Sequence, residues 1–473
     1  MPDFRTDSEM LNLSQDFQAT PTAAWEAVIA SDLRGADYEK KLTWRTEDGL
    51  TVRPYYRQEN LAGLENQLSN RRHRSGWEIA AGSGTGKDAI RADLLHEAGA
   101  NSIQELGFAI AMGAEILADL TATKPVDDVA REIEFVMAVG PSYFIEIAKF
   151  RAARLLWAQV VAAFNPKNFE TDDMRLHVRT PRRNKSMYDR QTNLLRAATE
   201  ALSAVIGGCD QLTIEPFGFE EHLAVNIQRI LREESQLDAV ADPAGGSYYI
   251  EMLTDAIARE AWKLFQQVEA EGGYSKALSS GSVEKAIAAA RSARDKSMSS
   301  RRRSLVGVNN YPNLMEKKPV CDIQLAAQVS SLTQYRLAEP FELIRQRTQK
   351  HASATGRYPK VLLLTRGDVK MKGARSNFCL NFFGCAAFDM AVSEEYEDTD
   401  ADLIILCSSD SEYLAFAKDV CPRVKSPVLV AGNPKEKKEE LLATGVQGFV
   451  HVLSDAVETL TEWQNKLGIG DGK

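Results

Sequence analysis

The chain has 473 residues, of which 44% are hydrophobic and 26% charged, with a formal net charge of −9. That length allows two or three domains and a large core, while the acidic balance argues against general nucleic-acid binding. No apolar run approaches the ~20 residues of a membrane-spanning helix, and the opening MPDFRTDSE lacks the features of a signal or transit peptide, so a cytoplasmic protein with no membrane partner is expected.

The basic clusters are short: Arg71-Arg72-His73-Arg74, Arg301-Arg302-Arg303, and Lys435 with Lys437-Lys438. Each is read as a solvated loop or helix face. Cysteines stand at 209, 321, 379, 385, 407 and 421, with no CxxC pair and several in apolar runs. Reduced, buried thiols are expected rather than disulfides or zinc ligands.

Residues 1–50 read as an arm. Thr20 is expected to cap a helix with Pro21 at its first position, running through Trp25, Val28, Ile29 and Leu33. Such an arm wraps a partner subunit or packs on its own domain. Residues 51–305 form the next region. Ala81–Asp88, AGSGTGKD, resembles a phosphate loop but has Ala81 where the first Gly belongs and Asp88 where Ser or Thr must follow the Lys. A connector is the simpler reading. Ala92–Gly107 reads as a strand end, a turn and a helix continuing to Leu120, placing His96 at the end of a strand. A structural histidine is the plainer alternative there.

Ile133–Val139 is a short apolar strand, Gly140-Pro141-Ser142 a turn, and a long helix follows with apolar residues spaced by threes and fours. Glu146, Lys149, Arg151 and Arg154 are expected on its wetter face. Leu176–Thr180 (LHVRT) alternates as a strand, Pro181–Asp189 (PRRNKSMYD) is a polar loop, and Asn193–Val205 is a helix ended by Gly207-Gly208. Leu212–Pro216 is another strand and Phe219–Glu233 another helix. Ala239–Tyr249 is turn-rich and expected to follow a short strand, with a helix over Leu253–Glu271. Repeated strand–turn–helix units predict a parallel (β/α) barrel of the TIM type.

Residues 306–358 read as a linker with one helical piece near Phe341–Gln349 and breakers at Gly307, Pro312, Lys317-Lys318-Pro319 and Pro340. From 359 to 473 the pattern restarts: strands at 361–366, 403–409, 427–433 and 448–452 alternate with helices at 373–385, 412–420, 435–443 and 455–467. This predicts a flavodoxin-like doubly wound sheet, whose ligands would sit at the carboxyl ends of its strands.

GANSIQELGFAIA, VGPSYFIEIAKFRAARLLWA, NLLRAATEALSAVIGG and EESQLDAVADPAGGSYYIE resemble the substrate barrel of the methylmalonyl-CoA mutase family. RLAEPFELIR and the 359–470 sheet resemble its linker and cobalamin domain. PRRNKSMYD, CLNFFGCA and LCSSDSEY are more similar to the small, non-catalytic subunit of the two-chain bacterial enzyme. The resemblance implies a part in interconverting succinyl-CoA and (R)-methylmalonyl-CoA with adenosylcobalamin, a cofactor that carries the radical chemistry while protein positions and shields it.

Against that family pattern several positions depart. The cobalt ligand is a His in a D-x-H-x-x-G loop; here the loop has Asp368 and Gly373 but Lys370 in the His place. A protonated ammonium has no lone pair for cobalt. His451, the other histidine of this region, falls on a later strand. Catalytic members carry a Gln after the strand LHVRT, where this chain has Arg183, and a His on the next strand, where it has Thr213. Before the EAGA turn they read Tyr-His-Met-Gln, against Asp93-Leu94-Leu95-His96 here, so His96 falls on the Gln position. The resemblance therefore implies no catalytic residue, no metal site and no cofactor held by this chain, with adenosylcobalamin in a catalytic large subunit that completes a heterodimer. The alternative is a CoA-thioester-binding or decayed stand-alone module.

Length departs as well. A (β/α)₈ barrel takes ~250 residues, seldom under 200, yet Trp77 to Arg301 holds five βα units, and Trp77–Arg91 is too short for the rest. Either the barrel is truncated or it is open, and an open barrel exposes strand edges for a partner to cover. Ten residues separate Val392 from Leu403, little for a crossover helix of the usual ~10–12.

Overall fold

A computed structural model describes residues 20–64, 67, 72–80, 89–316, 332–396 and 400–470. Arg71, the loop Ala81–Asp88, Lys317-Lys318-Pro319 and Cys321 lie outside the described residues. The chain divides into two compact units, Met1–Arg57 and Gln58–Lys473.

In the first unit, helices span Thr22–Asp32 and Tyr38–Leu42, and strands β1 (Trp44–Arg45) and β2 (Thr51–Val52) pair antiparallel. The first helix is capped by Pro21 rather than Thr20, because Pro21 keeps an extended backbone with φ −69° and ψ 152°. Trp25 packs edge-on against Tyr55, with ring centroids 4.8 Å apart, and Arg57 covers its face.

The second unit contains two parallel five-stranded sheets among the described residues. The first comprises β3 (Glu78–Ile79), β4 (Ile90–Arg91), β5 (Glu134–Ala138), β6 (Arg175–Arg179) and β7 (Gln211–Thr213), in the order β3-β7-β6-β5-β4. β3 pairs with β7, not with β4, its neighbour in sequence. Joining the first strand to the last is how a barrel closes; here β3 and β4 each keep an unpaired edge among the described residues.

Helix Tyr143–Ala162 lies among Ser102–Leu120, Arg190–Ile206 and Tyr248–Ala270. This enclosure overturns the expected wet face. Glu146, Lys149 and Arg154 are buried, and the Arg151 side chain is 9% exposed. A helix packed on several sides can keep charges only by pairing them. Arg151 bonds Asp242 and Glu251, while Arg154 reaches Met174 O, Gly208 O and Asp210. The polar loop Pro181–Asp189 is likewise mostly buried.

Two further expectations fail locally. His96 sits in a helix, Ala92–Ala98, because β4 ends at Arg91. No strand precedes Ala239: the helix Glu221–Arg229 continues as a π-helical turn, Ile230–Glu234, and leads directly into turns.

The second sheet holds β8 (Lys360–Thr365), β9 (Asp389–Ser393), β10 (Leu403–Cys407), β11 (Val428–Ala431) and β12 (Val446–Val450), in the order β12-β11-β10-β8-β9. Counted from its own first strand, this is 2-1-3-4-5, the flavodoxin order. Its central strands are continuous apolar runs, as a sheet covered on both faces requires. Leu337, Phe341 and Ile344 share one core cluster with Val361, Phe383 and Leu403, so the helix Glu339–Thr355 is packed structure. The described cysteines are free; Cys209, Cys379, Cys385 and Cys407 are buried. Among the described residues no helix is long and apolar enough to cross a membrane.

Candidate functional site

Parallel strands end together, so the loops after β4, β5, β6 and β7 gather at one mouth, where barrel folds place their chemistry. A cavity of about 320 Å³ opens there, lined by Arg91, Asp93, Glu97, Arg179, Arg182 and Glu215 among others. A neighbouring cavity of about 330 Å³ shares Arg182 and Glu215 and reaches Thr213. The ion pair between Arg182 and Glu215 stands where the two meet.

The mouth's charges answer one another. Arg91 grips Asp93 through two hydrogen bonds of 2.8 and 2.7 Å. Arg179 donates to Glu215 at 3.0 Å and lies 3.7 Å from Asp93. Glu97 accepts the backbone N–H groups of Arg182 (2.7 Å) and Arg183 (3.0 Å). Burial pushes the Glu97 carboxyl up to about 7, against the pull of those donors and of Arg183.

Beneath the mouth lies a buried charged cluster. Lys149 sits 2.8 Å from Glu105 and 2.6 Å from Glu146 and donates to Ala138 O at 2.7 Å. Burial pulls its ammonium down, but the two carboxylates outweigh it and the net shift is upward. Glu105 also accepts the Ala138 N–H at 2.6 Å, which ties the helix Ser102–Leu120 to the end of β5. His96 Nδ1 is 3.1 Å from Glu105. Burial, then the positive charges of Arg183 and Lys149, hold His96 far below its ordinary value, so the ring is neutral. Nδ1 faces the Glu105 carboxylate and also lies 3.5 Å from Arg183 Nη2, and Nε2 has no hydrogen-bond partner among the described residues.

Arg183 is buried and donates to His96 O and Ala100 O at 2.5 and 2.7 Å. Burial pushes its guanidinium down to about 9. It binds two backbone carbonyls behind the mouth instead of lining the cavity. Thr213, also buried, lies 2.8 Å from His177 Nε2. His177 is one of the residues that sequence reasoning missed, with Glu97, Glu105 and Lys149. Its place on LHVRT was visible, but an alternating strand does not say what its neighbour strand carries. Burial brings His177 to about 4, so it too is neutral.

The remaining candidates gather on the second sheet. Asp368 caps the helix Val369–Gly384, accepting the Met371 N–H at 2.8 Å. Lys370 is exposed in the first turn, and Gly373 has open space where a Cβ would stand. His451 follows β12, three strand steps or about 14 Å across the sheet from β8. Its Nδ1 accepts the Leu453 N–H at 3.2 Å.

The methylmalonyl-CoA mutase family model matches residues 88–355. The chain is 39% identical to the methylmalonyl-CoA mutase small subunit of Porphyromonas gingivalis over 412 residues, 80% of this chain and 66% of that protein. It is 33% identical to the small subunit of Streptomyces virginiae over 409 residues, 81% and 65% of the two. Against the methylmalonyl-CoA mutase of Rhizobium meliloti it is 35% identical over 267 residues, 53% and 37%. The chain thus spans just under two thirds of the length of the small subunits it matches. A family match across more than half of the chain, with parallel α/β sheets, establishes that it belongs to the methylmalonyl-CoA mutase family.

Proposed function

We propose that this chain is a scaffold subunit of an adenosylcobalamin-dependent methylmalonyl-CoA mutase: a non-catalytic partner that stabilises a larger catalytic chain in a heterodimer. The observation that carries this reading is the mouth of the first sheet. Its three guanidiniums pair with Asp93 and Glu215, so the chain's own carboxylates already take the groups an acyl-CoA's anionic parts would need. Arg183 and Thr213 stand where catalytic members carry Gln and His, and both are engaged in internal bonds.

The residues do not fit cobalamin held in the family's manner. Lys370 offers an ammonium where an imidazole nitrogen is needed, and His451 lies across the sheet. No step of the rearrangement runs through this chain; the corrinoid and the radical chemistry belong to the partner. We read 51–305 as a shortened barrel, 306–358 as its linker and 359–473 as a degenerate cobalamin-type domain. In this reading the edges of β3 and β4 are places for a partner to cover, since unpaired strand edges invite pairing.

The two mouth cavities leave one competing reading, a module that binds CoA thioesters without a partner. Pull-down of the full chain from native lysate separates the two. The scaffold reading expects co-elution with a larger mutase chain, and no uptake of hydroxocobalamin or succinyl-CoA by the isolated chain. Stoichiometric corrinoid uptake and turnover by the isolated chain would overturn it; succinyl-CoA binding without any partner would favour the module.

A further inference from the structure

In a doubly wound sheet the ligand crevice opens where the strand order reverses, outside the carboxyl ends of the two strands that flank the reversal. Here those strands are β8 and β10. We infer that this crevice is sealed from within by Glu412, and that the seal is a barrier to cofactor separate from the missing cobalt ligand. The inference deepens the scaffold reading and rests on it.

Glu412 comes from the loop after β10 and bridges to the loop after β8. Its carboxylate accepts the Ser409 hydroxyl at 2.6 Å and the Ser409 N–H at 3.3 Å. The Asp368 N–H reaches it from the β8 side at 3.4 Å. The Ser408 hydroxyl is shared between Glu412, at 2.9 Å, and Arg366 O, at 2.7 Å, and so touches both loops. The Arg366 N–H also donates to Cys407 O at 3.2 Å. The β8 loop is shaped to admit this carboxylate. Gly367 has φ +83°, and a Cβ there would stand 2.2 Å from the Glu412 oxygens. That backbone angle favours glycine, and a Cβ there would displace the Glu412 carboxylate. Donors from Ser409 and Ser408 hold the Glu412 carboxyl down to about 2, so the seal keeps its charge throughout the pH range in which the protein would be handled. Behind it Tyr413 is buried, accepting the Ser408 N–H at 3.1 Å and donating to Ala431 O. The crevice is thus closed by side chains that bond each other, across the line where a doubly wound sheet would admit a ligand.

The test uses the full chain in four forms: wild type, K370H, E412A and K370H/E412A. Hydrogen exchange of E412A should show the Asp368 and Ser409 amides exchanging at least about tenfold faster. The amides of β8 and β10 should stay protected, which shows that the domain is still folded. In hydroxocobalamin titrations followed by absorbance, K370H alone should take up no corrinoid, and the double variant should show saturable uptake at concentrations at least about tenfold below the highest at which K370H shows none. Unchanged exchange in E412A, or a double variant that binds no better than K370H, overturns the seal. So does corrinoid uptake by K370H alone. Uptake by the wild type, with Lys370 in place, instead sinks the scaffold reading itself.

Discussion

Single residues decide most of what this fold can do, and the buried charges show how. Lys149 is enclosed with Glu105 and Glu146. Removing one partner of a buried ion cluster leaves the others uncompensated. Lys149→Met is therefore expected to cost about 3–5 kcal/mol, read as a lower urea midpoint at unchanged slope. Glu97 makes the pH prediction. Its carboxyl sits at about 7 in the folded chain, against an ordinary value of 4.5. The folded chain thus keeps a proton that the unfolded chain releases, a contribution complete below pH 4.5 and lost as pH rises through 7. Because Glu97 is only half-buried by area, the loss is about 2 kcal/mol rather than the full shift. Glu97→Gln should flatten the fall in urea stability between pH 5 and 7.5, about the limits of that window; an unchanged slope would count against the assignment.

Elements are held by their ends and by what grips them. The helix Ser102–Leu120 begins with a capping box in which Asn101 Oδ1 accepts the Gln104 N–H and Gln104 Oε1 accepts the Asn101 N–H. Asn101→Ala should cost about 1 kcal/mol, measured by thermal midpoint. The loop Pro181–Asp189 is gripped harder. Glu342, on the helix Glu339–Thr355, accepts the Met187 N–H at 2.7 Å and the Ser186 hydroxyl at 3.2 Å, and is paired to Arg336 at 2.5 Å. Leu337 N donates to Arg183 O at 2.8 Å. Glu342→Ala leaves the buried Arg336 charge without its carboxylate and should cost about 3–5 kcal/mol, several times the cap. Equal losses in the two variants would show that the loop is not clamped by this carboxylate. The periodicity of these helices was legible along the chain. The burial of PRRNKSMYD was not, because polar composition predicts a solvated loop until a partner element supplies its hydrogen bonds.

At the scale of the molecule, the segment between the sheets is part of the second sheet's core. Leu337, Phe341 and Ile344 pack in its cluster, and Gln464 donates to Ile344 O at 2.6 Å and to Thr348 Oγ1 at 2.8 Å. A chain ending at Tyr358 would leave that apolar surface uncovered. It is expected to aggregate where the full chain stays monodisperse, as read by size-exclusion chromatography at equal concentration; a monodisperse truncated chain would make the segment a simple tether.

By itself the sequence determined the run of strands and helices, the α/β class and the resemblance to the mutase family, because hydrophobic period and local motifs are properties of contiguous residues. That resemblance implies that Lys370, Arg183 and Thr213 stand at the family's functional positions, a correspondence that needs only the order of residues along the chain. The tertiary structure decided the rest. It paired β3 with β7 rather than β4, buried the charges of the helix Tyr143–Ala162, matched the mouth's guanidiniums to Asp93 and Glu215, and carried Glu412 to the loop after β8. Each of these joins residues far apart in the chain or on different elements, and the energy of a buried charge depends on which neighbours the fold brings to it.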